Sequence, residues 1–242
     1  NPQSVALLFL IITLYPILTS IMVSHNVFSV YMIPYAAAPM IIRVFLDSRT
    51  AFITHISIIL LCSIPLQSPY EFILLQSIAG IVAILSLKEL SQRSQLFQSA
   101  VYITFISVAL YTAYELVQGN DFTTISLSMY RSMLINGVLL LFVYLLMYLI
   151  ERALGFTSNV TLVELSNINN KILTELSNKA PGTFQHSMQV ANLAAEVANK
   201  IGAKSQLVRT GALYHDIGKL ENPELFTENQ TENYNPHKLL TY

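Results

Sequence analysis

The chain has 242 residues, of which 53% are hydrophobic and only 11% are charged, with a formal net charge of −1. Soluble globular domains carry about 25% charged residues, so this composition excludes an ordinary soluble protein and indicates a membrane protein. Charged residues become frequent only after about residue 150, which indicates that two physical environments meet near Glu151.

Six apolar stretches of roughly 20 residues are long enough to cross a bilayer as helices. They predict transmembrane helices near residues 4–24, 27–46, 50–67, 71–90, 99–118 and 130–150. A cleaved signal peptide is a single short apolar run, so it does not account for six of them. Residues 1–152 are therefore predicted to form a membrane domain.

Basic residues predict the orientation of this domain, because short cytoplasmic loops carry an excess of Lys and Arg. Basic residues lie beside the second and fourth loops and after the sixth span: Arg43, Arg49, Lys88, Arg93 and Arg152. The remaining connections are mainly acidic, with Arg131 as the exception. We therefore expect Asn1, these two loops and the C-terminal part to be cytoplasmic.

The predicted spans contain no chain of acidic residues and no arginine ladder, so they do not indicate a transporter or a voltage sensor. His55 is the one intramembrane histidine, and we interpret it as a hydrogen-bonding partner of a neighbouring helix rather than as a functional group. Four prolines could kink the helices: Pro16, Pro34, Pro39 and Pro65.

Residues 153–181 are predicted to form a helical connector. Apolar residues recur there at steps of mostly three and four, which predicts one apolar stripe: Leu162, Leu165, Ile168, Ile172 and Leu176. The stripe either packs into a core or forms a coupling or dimer helix that passes movement from the membrane to the cytoplasm.

A helix is predicted over residues 183–201, with Thr183 as its N-cap. His186 shares a face of this helix with apolar residues that we expect to be buried: Val190, Leu193, Ala194, Val197 and Ile201. Gly202 is expected to end the helix.

A second helix, over about residues 205–217, ends in His215 and Asp216. Adjacent side chains at a helix end can converge on one ion, which makes His186, His215 and Asp216 candidate metal ligands. Imidazole nitrogen together with carboxylate oxygen suits Mn, Fe, Co or Zn rather than Ca. The spacing alone leaves open that His186 is a core histidine.

The sequence GALYHDIGK, with His215 and Asp216, resembles the HD phosphohydrolase superfamily. The connector ERALGFTSNVTLVELSN and the membrane stretch RVFLDSRTAFITH resemble the seven-transmembrane-receptor HD proteins of bacteria, which include cyclic-di-AMP phosphodiesterases. This resemblance covers essentially the whole chain. It implies an all-α protein of the bacterial cytoplasmic membrane, with a polytopic transmembrane helix bundle followed by part of an all-helical, cytoplasmic HD domain over residues 182–242.

The resemblance also implies a centre of two divalent metal ions, with Mn or Fe expected. On this pattern His186, His215 and Asp216 match metal ligands, and Asp216 is also catalytic as the bridge between the ions. Lys219 is the second predicted catalytic residue, because its ammonium could neutralise a substrate phosphate; the alternative is a solvated cation at a helix end. His237 matches no ligand position and is interpreted as structural or substrate-proximal.

The expected activity is that of a membrane-anchored, metal-dependent phosphodiesterase that opens cyclic di-AMP to pApA under the control of an external sensor domain. The alternative is a non-catalytic receptor or scaffold whose HD domain binds nucleotide. A homodimer is compatible with the apolar connector, and no DNA or RNA polymer is expected as a partner. The family pattern further predicts that the sensor, a first span and the later part of the HD domain are missing from these residues, and that this chain alone is inactive.

Overall fold

The computed structural model describes residues 2–25, 28–87, 94–155 and 157–230. Five residues on which parts of the predictions depend lie outside the described residues: Asn1, Lys88, Arg93, His237 and Tyr242. The described residues form helices and no strand, as the predicted all-α class requires. The chain divides into two compact units, Asn1–Ser158 and Asn159–Tyr242.

The described part of the first unit contains seven helices. They are α1 (Pro2–His25), α2 (Ala37–Phe45), α3 (Ser48–Ser63), α4 (Pro69–Ser86), α5 (Ser94–Val117), α6 (Leu127–Leu141) and α7 (Val143–Leu154). Four stretches are long and apolar enough to cross a membrane: Pro2–His25, Pro69–Ser86, Gln95–Val117 and Leu127–Ala153. The second and third predicted spans correspond to shorter apolar segments, Val30–Phe45 and Ser48–Ser63. The chain is thus a multi-pass membrane protein.

The second predicted span is interrupted rather than continuous. A 3-10 turn at Val30–Met32 precedes Pro34, and α2 begins only at Ala37. Proline lacks a backbone N–H and disfavours helical geometry at the residue before it, so Pro34 separates the two pieces. Pro39 lies within the first turn of α2, where the missing N–H costs little.

Side chains from other helices satisfy the backbone of this interrupted segment. Asn136 donates through Nδ2 to the carbonyls of Tyr31 and Ile33, at 3.0 and 2.8 Å. The hydroxyl of Tyr15 donates to the carbonyl of Pro34 at 3.1 Å. Irregular backbone at membrane depth is tolerated only where such partners exist, which explains these polar side chains among apolar helices.

Large apolar side chains point outwards from the first unit. Phe9 on α1 is 70% exposed and Phe105 on α5 is 73% exposed. In water such surfaces would be unfavourable, whereas lipid tails solvate them. The exposure therefore agrees with membrane-spanning helices.

The described part of the second unit contains four helices and three 3-10 turns. The helices are α8 (Asn159–Leu165), α9 (Lys171–Lys179), α10 (Pro181–Lys200) and α11 (Ser205–Tyr214), and the turns are Ile217–Leu220, Pro223–Leu225 and Thr227–Asn229. The threonine hydroxyl of Thr210 on α11 lies 3.1 Å from the carbonyl of Leu162 on α8, to which it can donate.

The predicted single stripe along the connector is wrong, because the connector contains two separate helices. Leu162 on α8 and Leu176 on α9 are buried, whereas Ile168, between the helices, and Ile172 are 52% and 43% exposed. The apolar periodicity continues through residues 166–170 in the sequence, but turn residues there end the first helix before the second begins.

The face of α10 on which His186 lies is largely exposed, contrary to the prediction, with only Val190 and Ala194 half-buried. The buried residues of α10 are small, namely Thr183, Ser187, Ala191 and Ala198. Small side chains let α10 approach its neighbours closely, and Ala191 packs in one core with Leu173 and Leu213. Leu193, Val197 and Ile201 are 66%, 58% and 74% exposed instead.

The start of α10 also differs from the prediction, because Thr183 is the third helical residue and not the N-cap. Its backbone N–H donates to Oδ1 of Asn229 at 3.1 Å, so the cap comes from 46 residues away. The hydroxyl of Thr183 donates to Oε1 of Glu228 at 3.1 Å. A methyl group at Gly182 would overlap the carbonyl oxygen of Glu228, so only glycine permits this approach. At the other end, Gly202 has a φ of 71° and ends the helix as predicted.

Candidate metal centre

Three predicted ligands converge where α10 and α11 pack together. His186 lies in the second turn of α10, and His215 and Asp216 follow the last residue of α11. The two imidazole rings have centroids 5.6 Å apart and planes inclined by 57°. One potential ligand atom from each of the three residues lies within 4.8 Å of the other two.

The end of α11 brings the adjacent side chains of His215 and Asp216 to the same side. Asp216 has φ −108° and ψ 16°, which lies near the bridge region rather than in the helical region. Consecutive residues within a helix project about 100° apart, and the turn removes that divergence. As a result Nε2 of His215 lies 3.3 Å from Oδ2 of Asp216.

The backbone of α11 fixes which nitrogen of His215 faces the site. Nδ1 lies 2.7 Å from the carbonyl oxygen of Ala212. A carbonyl only accepts, so Nδ1 carries the hydrogen and Nε2 presents a lone pair in the neutral ring. A hydrogen bond of this kind orients metal-binding histidines and makes them stronger ligands.

The three side chains fit a divalent metal ion. Ligand atoms bound about 2.1 Å from one ion lie about 3–4 Å from one another, somewhat closer than the observed spread. Both imidazoles are solvent-exposed, so small side-chain rotations can close the difference. Two nitrogens and a carboxylate oxygen suit Mn, Fe, Co or Zn.

Lys219 lies directly beside this group, in the 3-10 turn Ile217–Leu220. Its Nζ is 2.9 Å from Oδ2 of Asp216 and 2.6 Å from Oε1 of Glu228. It also lies 4.9 Å from the centre of the Phe226 ring. Hydrogen bonds to Glu228 and to Asp216 raise the pKa of Lys219, so the side chain stays cationic.

Glu228 and Asn229 were missed by the sequence analysis. They join the start of α10 to the predicted site, through Thr183 on one side and Lys219 on the other. Neither residue belongs to a periodic pattern or a metal-ligand spacing, and Glu228 lies nine residues beyond Lys219. Glu221 and Glu224 stand closer to Lys219 in the sequence, so no signal there singled out Glu228.

Comparison with protein families places this arrangement in a known class. The family model described as "7TM receptor with intracellular HD hydrolase" matches residues 1–158, and the HD domain model matches residues 183–242. The chain therefore belongs to the family of 7TM receptors with an intracellular HD hydrolase, which confirms the resemblance. The HD domain and the converging His and Asp side chains together indicate dependence on a divalent metal.

The chain is 36% identical over 219 residues to the cyclic-di-AMP phosphodiesterase PgpH of Listeria monocytogenes, a match that covers 87% of this chain and 30% of that protein. It is 31% identical over 222 residues to the protein of the same name from Bacillus subtilis, covering 87% and 31%. An uncharacterised protein of Synechocystis is 48% identical over 88 residues, covering 36% and 11%. The chain thus spans about a third of the two PgpH proteins. No solved structure gives a significant match.

Proposed function

We propose that the intact protein is a membrane-anchored, metal-dependent phosphodiesterase that opens cyclic di-AMP to the linear dinucleotide pApA. The observation that carries this proposal is the convergence of His186, His215 and Asp216, with Lys219 alongside. The names of the two PgpH relatives support the choice of substrate. An external sensor domain would control the activity.

The reaction requires water to add to one phosphorus while the P–O3′ bond breaks and the leaving 3′ oxygen takes up a proton. Divalent ions, when bound, promote the ionisation of water and stabilise charge on phosphate oxygens. His186 and His215 would hold an ion through ring nitrogens, and Asp216 through a carboxylate oxygen. The hydrogen bond from His215 to Ala212 keeps Nε2 aimed at this position.

Lys219 would act on the substrate rather than on the metal. Its ammonium lies in the same small region as the ligand atoms and would neutralise a phosphate oxygen that is not held by the ion. This role requires that Lys219 leave the oxygen of Asp216 to which it is paired. Replacement of Lys219 by Met should then lower kcat more than it changes metal affinity.

Two metal ions are proposed, with Mn or Fe as their identity. Asp216 has two carboxylate oxygens and would be able to hold a second ion beside the first, as a two-metal mechanism of hydrolysis would need. Mixed nitrogen and oxygen ligands favour Mn or Fe over Ca. Metal analysis of protein purified from its native host would identify the ions.

The organisation is proposed to comprise a membrane domain (1–152), a connector (153–181) and an HD domain (182–242). The family models support a division of this kind, because one ends at residue 158, within the proposed connector, and the other begins at residue 183. The membrane domain is proposed to lie in the inner membrane. The basic residues Arg43, Arg49 and Arg152 favour an orientation that puts the HD domain on the cytoplasmic side. In a Cys62→Ala background, an impermeant maleimide should label Asp121→Cys in intact cells but leave Arg49→Cys unlabelled.

The connector is proposed to pair two copies of the chain. Leu165, Ile168 and Ile172 are 38%, 52% and 43% exposed, which leaves apolar surface available on this segment. Ile168→Cys in the Cys62→Ala background should form a disulfide-linked dimer on mild oxidation. A strictly monomeric protein in detergent and in membranes would contradict the pairing.

The decisive experiment is hydrolysis of cyclic di-AMP and cyclic di-GMP by the intact protein with Mn, beside a His215→Ala, Asp216→Ala double variant. We expect pApA from cyclic di-AMP with the unaltered protein and no product with the variant. Nucleotide binding without turnover in both proteins would instead support a receptor or scaffold.

A further inference from the structure

We infer that Glu228 is a positioning residue that holds Lys219 away from Asp216 when a divalent ion occupies the site. The inference rests on the proposed metal centre and concerns a residue outside the ligand group. The inference is based on the Lys219 ammonium, which two carboxylates share. Its Nζ lies 2.9 Å from Oδ2 of Asp216 and 2.6 Å from Oε1 of Glu228.

Lys219 and a metal ion would compete for the same carboxylate oxygen. Oδ2 of Asp216 is the oxygen that lies 3.3 Å from Nε2 of His215, so it faces the ligand group. It is also the oxygen that Lys219 contacts. An ammonium and a divalent cation on one oxygen repel each other, so metal binding requires Lys219 to move to another partner.

Glu228 is placed to be that partner. Its carboxylate already accepts from Lys219 at the shorter of the two distances. The same oxygen accepts from the hydroxyl of Thr183. Next to it, Nδ2 of Asn229 donates to the Thr183 hydroxyl oxygen at 2.9 Å, which fixes the turn that carries Glu228.

The Phe226 ring limits where Lys219 can go. The ring centre lies 4.9 Å from Nζ, close enough for a cation–π contact. Between this ring and Glu228, the ammonium can leave Asp216 and still remain beside the site. Without the charge on Glu228, Asp216 would be the remaining anion known to hold Lys219, and the competition with metal would increase.

The test is Mn²⁺ affinity of the intact protein in detergent, measured by electron paramagnetic resonance of the free ion. Glu228→Gln removes the charge but keeps an oxygen for the Thr183 hydroxyl, so the turn stays in place. We expect its Mn²⁺ affinity to fall about tenfold, within the range typical of groups that orient metal sites. Glu224→Gln is the matched control, because Glu224 is an exposed acid four residues earlier and should leave affinity unchanged.

A second background separates positioning from a structural effect. In Lys219→Met there is no ammonium to hold, so adding Glu228→Gln should change Mn²⁺ affinity by less than twofold. An equal loss in both backgrounds, or no loss with Glu228→Gln alone, would overturn the inference. If the unaltered protein bound no Mn²⁺, Fe²⁺ or other divalent ion, the proposed function itself would fail.

Discussion

The imidazole of His55 on α3 fits into the space that Gly80 leaves open on α4. Nε2 of His55 lies 2.9 Å from the carbonyl oxygen of Gln76, to which it donates. A methyl group at Gly80 would overlap the His55 ring. His55 is only 1% exposed, so it acts as a packing and hydrogen-bonding residue between two helices, as the sequence analysis interpreted it.

Gly80→Ala should therefore destabilise the membrane unit. Placing a methyl group in a filled position costs about 1–3 kcal/mol, because the ring and both helices must shift. A lower midpoint of thermal unfolding in detergent would show this loss. The His55→Ala background supplies the control: with the ring removed, the same methyl group should cost little, and additive effects of the two changes would contradict the contact.

Two glycines of the second unit should respond in opposite directions to alanine. Gly182→Ala should lower stability, because the added methyl group overlaps the backbone of Glu228. Gly211→Ala should raise it by about 0.5–1 kcal/mol, because nothing lies within 4 Å of the new carbon and alanine favours a helix interior. Denaturant unfolding of both variants checks the pair, and a stabilising Gly182→Ala would disprove the close approach.

Asp47 should stabilise α3 as its N-cap. Its carboxylate accepts from the backbone N–H and from the hydroxyl of Thr50, both at 2.8 Å. Asp47→Ala should cost about 1 kcal/mol at neutral pH, whereas Asp47→Asn should retain part of the cap. Thermal unfolding of the three proteins in detergent provides the comparison.

The contribution of Asp47 should also depend on pH. The same two hydrogen bonds, led by that from the backbone N–H of Thr50, lower the pKa of Asp47. A depressed pKa in the folded state means that the stabilisation is present above the unfolded-state value of about 3.9 and is lost as the pH falls through the folded-state value. The stability advantage over Asp47→Asn should shrink below about pH 4, and an advantage independent of pH would argue against the charged cap.

On the proposed function, removal of metal from the intact protein should abolish turnover of cyclic di-AMP reversibly. Chelation should leave the helices intact, because the apolar core of Leu173, Ala191 and Leu213 packs them together. Added Mn should then restore activity. Loss of a residue that only hydrogen-bonds to a metal ligand weakens metal binding roughly 10–100-fold. His186→Ala removes a proposed ligand itself and should weaken binding by more than this. Gln189→Ala, an exposed change on the same helix, is the control. Full activity after exhaustive chelation would contradict the metal requirement.

The fold class and the ligand group could be predicted from the sequence because both depend on local patterns. Apolar length predicts membrane helices, and His215 and Asp216 stand together at a helix end. Which face of α10 is buried depends on side-chain size, and the periodicity of apolar residues does not record size. Both faces of that helix repeat at helical spacing, and the small residues Ser187 and Ala191 allow the closer packing.

Contacts between residues far apart in the sequence could not be predicted from local patterns. The N–H of Thr183 is satisfied by Asn229 and not by a residue near the helix start. Nothing in the residues around Thr183 indicates this, because the partner is brought there by the turns after α11. Asn136 likewise supports Ile33, 103 residues earlier, only once the helices have assembled.

The first turn of α10 has a mechanical consequence. Only Ala180 separates α9 from α10, and the first turn is tied by its side chain and its backbone to Glu228 and Asn229. A pull or a twist arriving along α9 must therefore either break these ties or drag the turn that carries Glu228. In the second case the strain reaches the Lys219 ammonium through the carboxylate of Glu228.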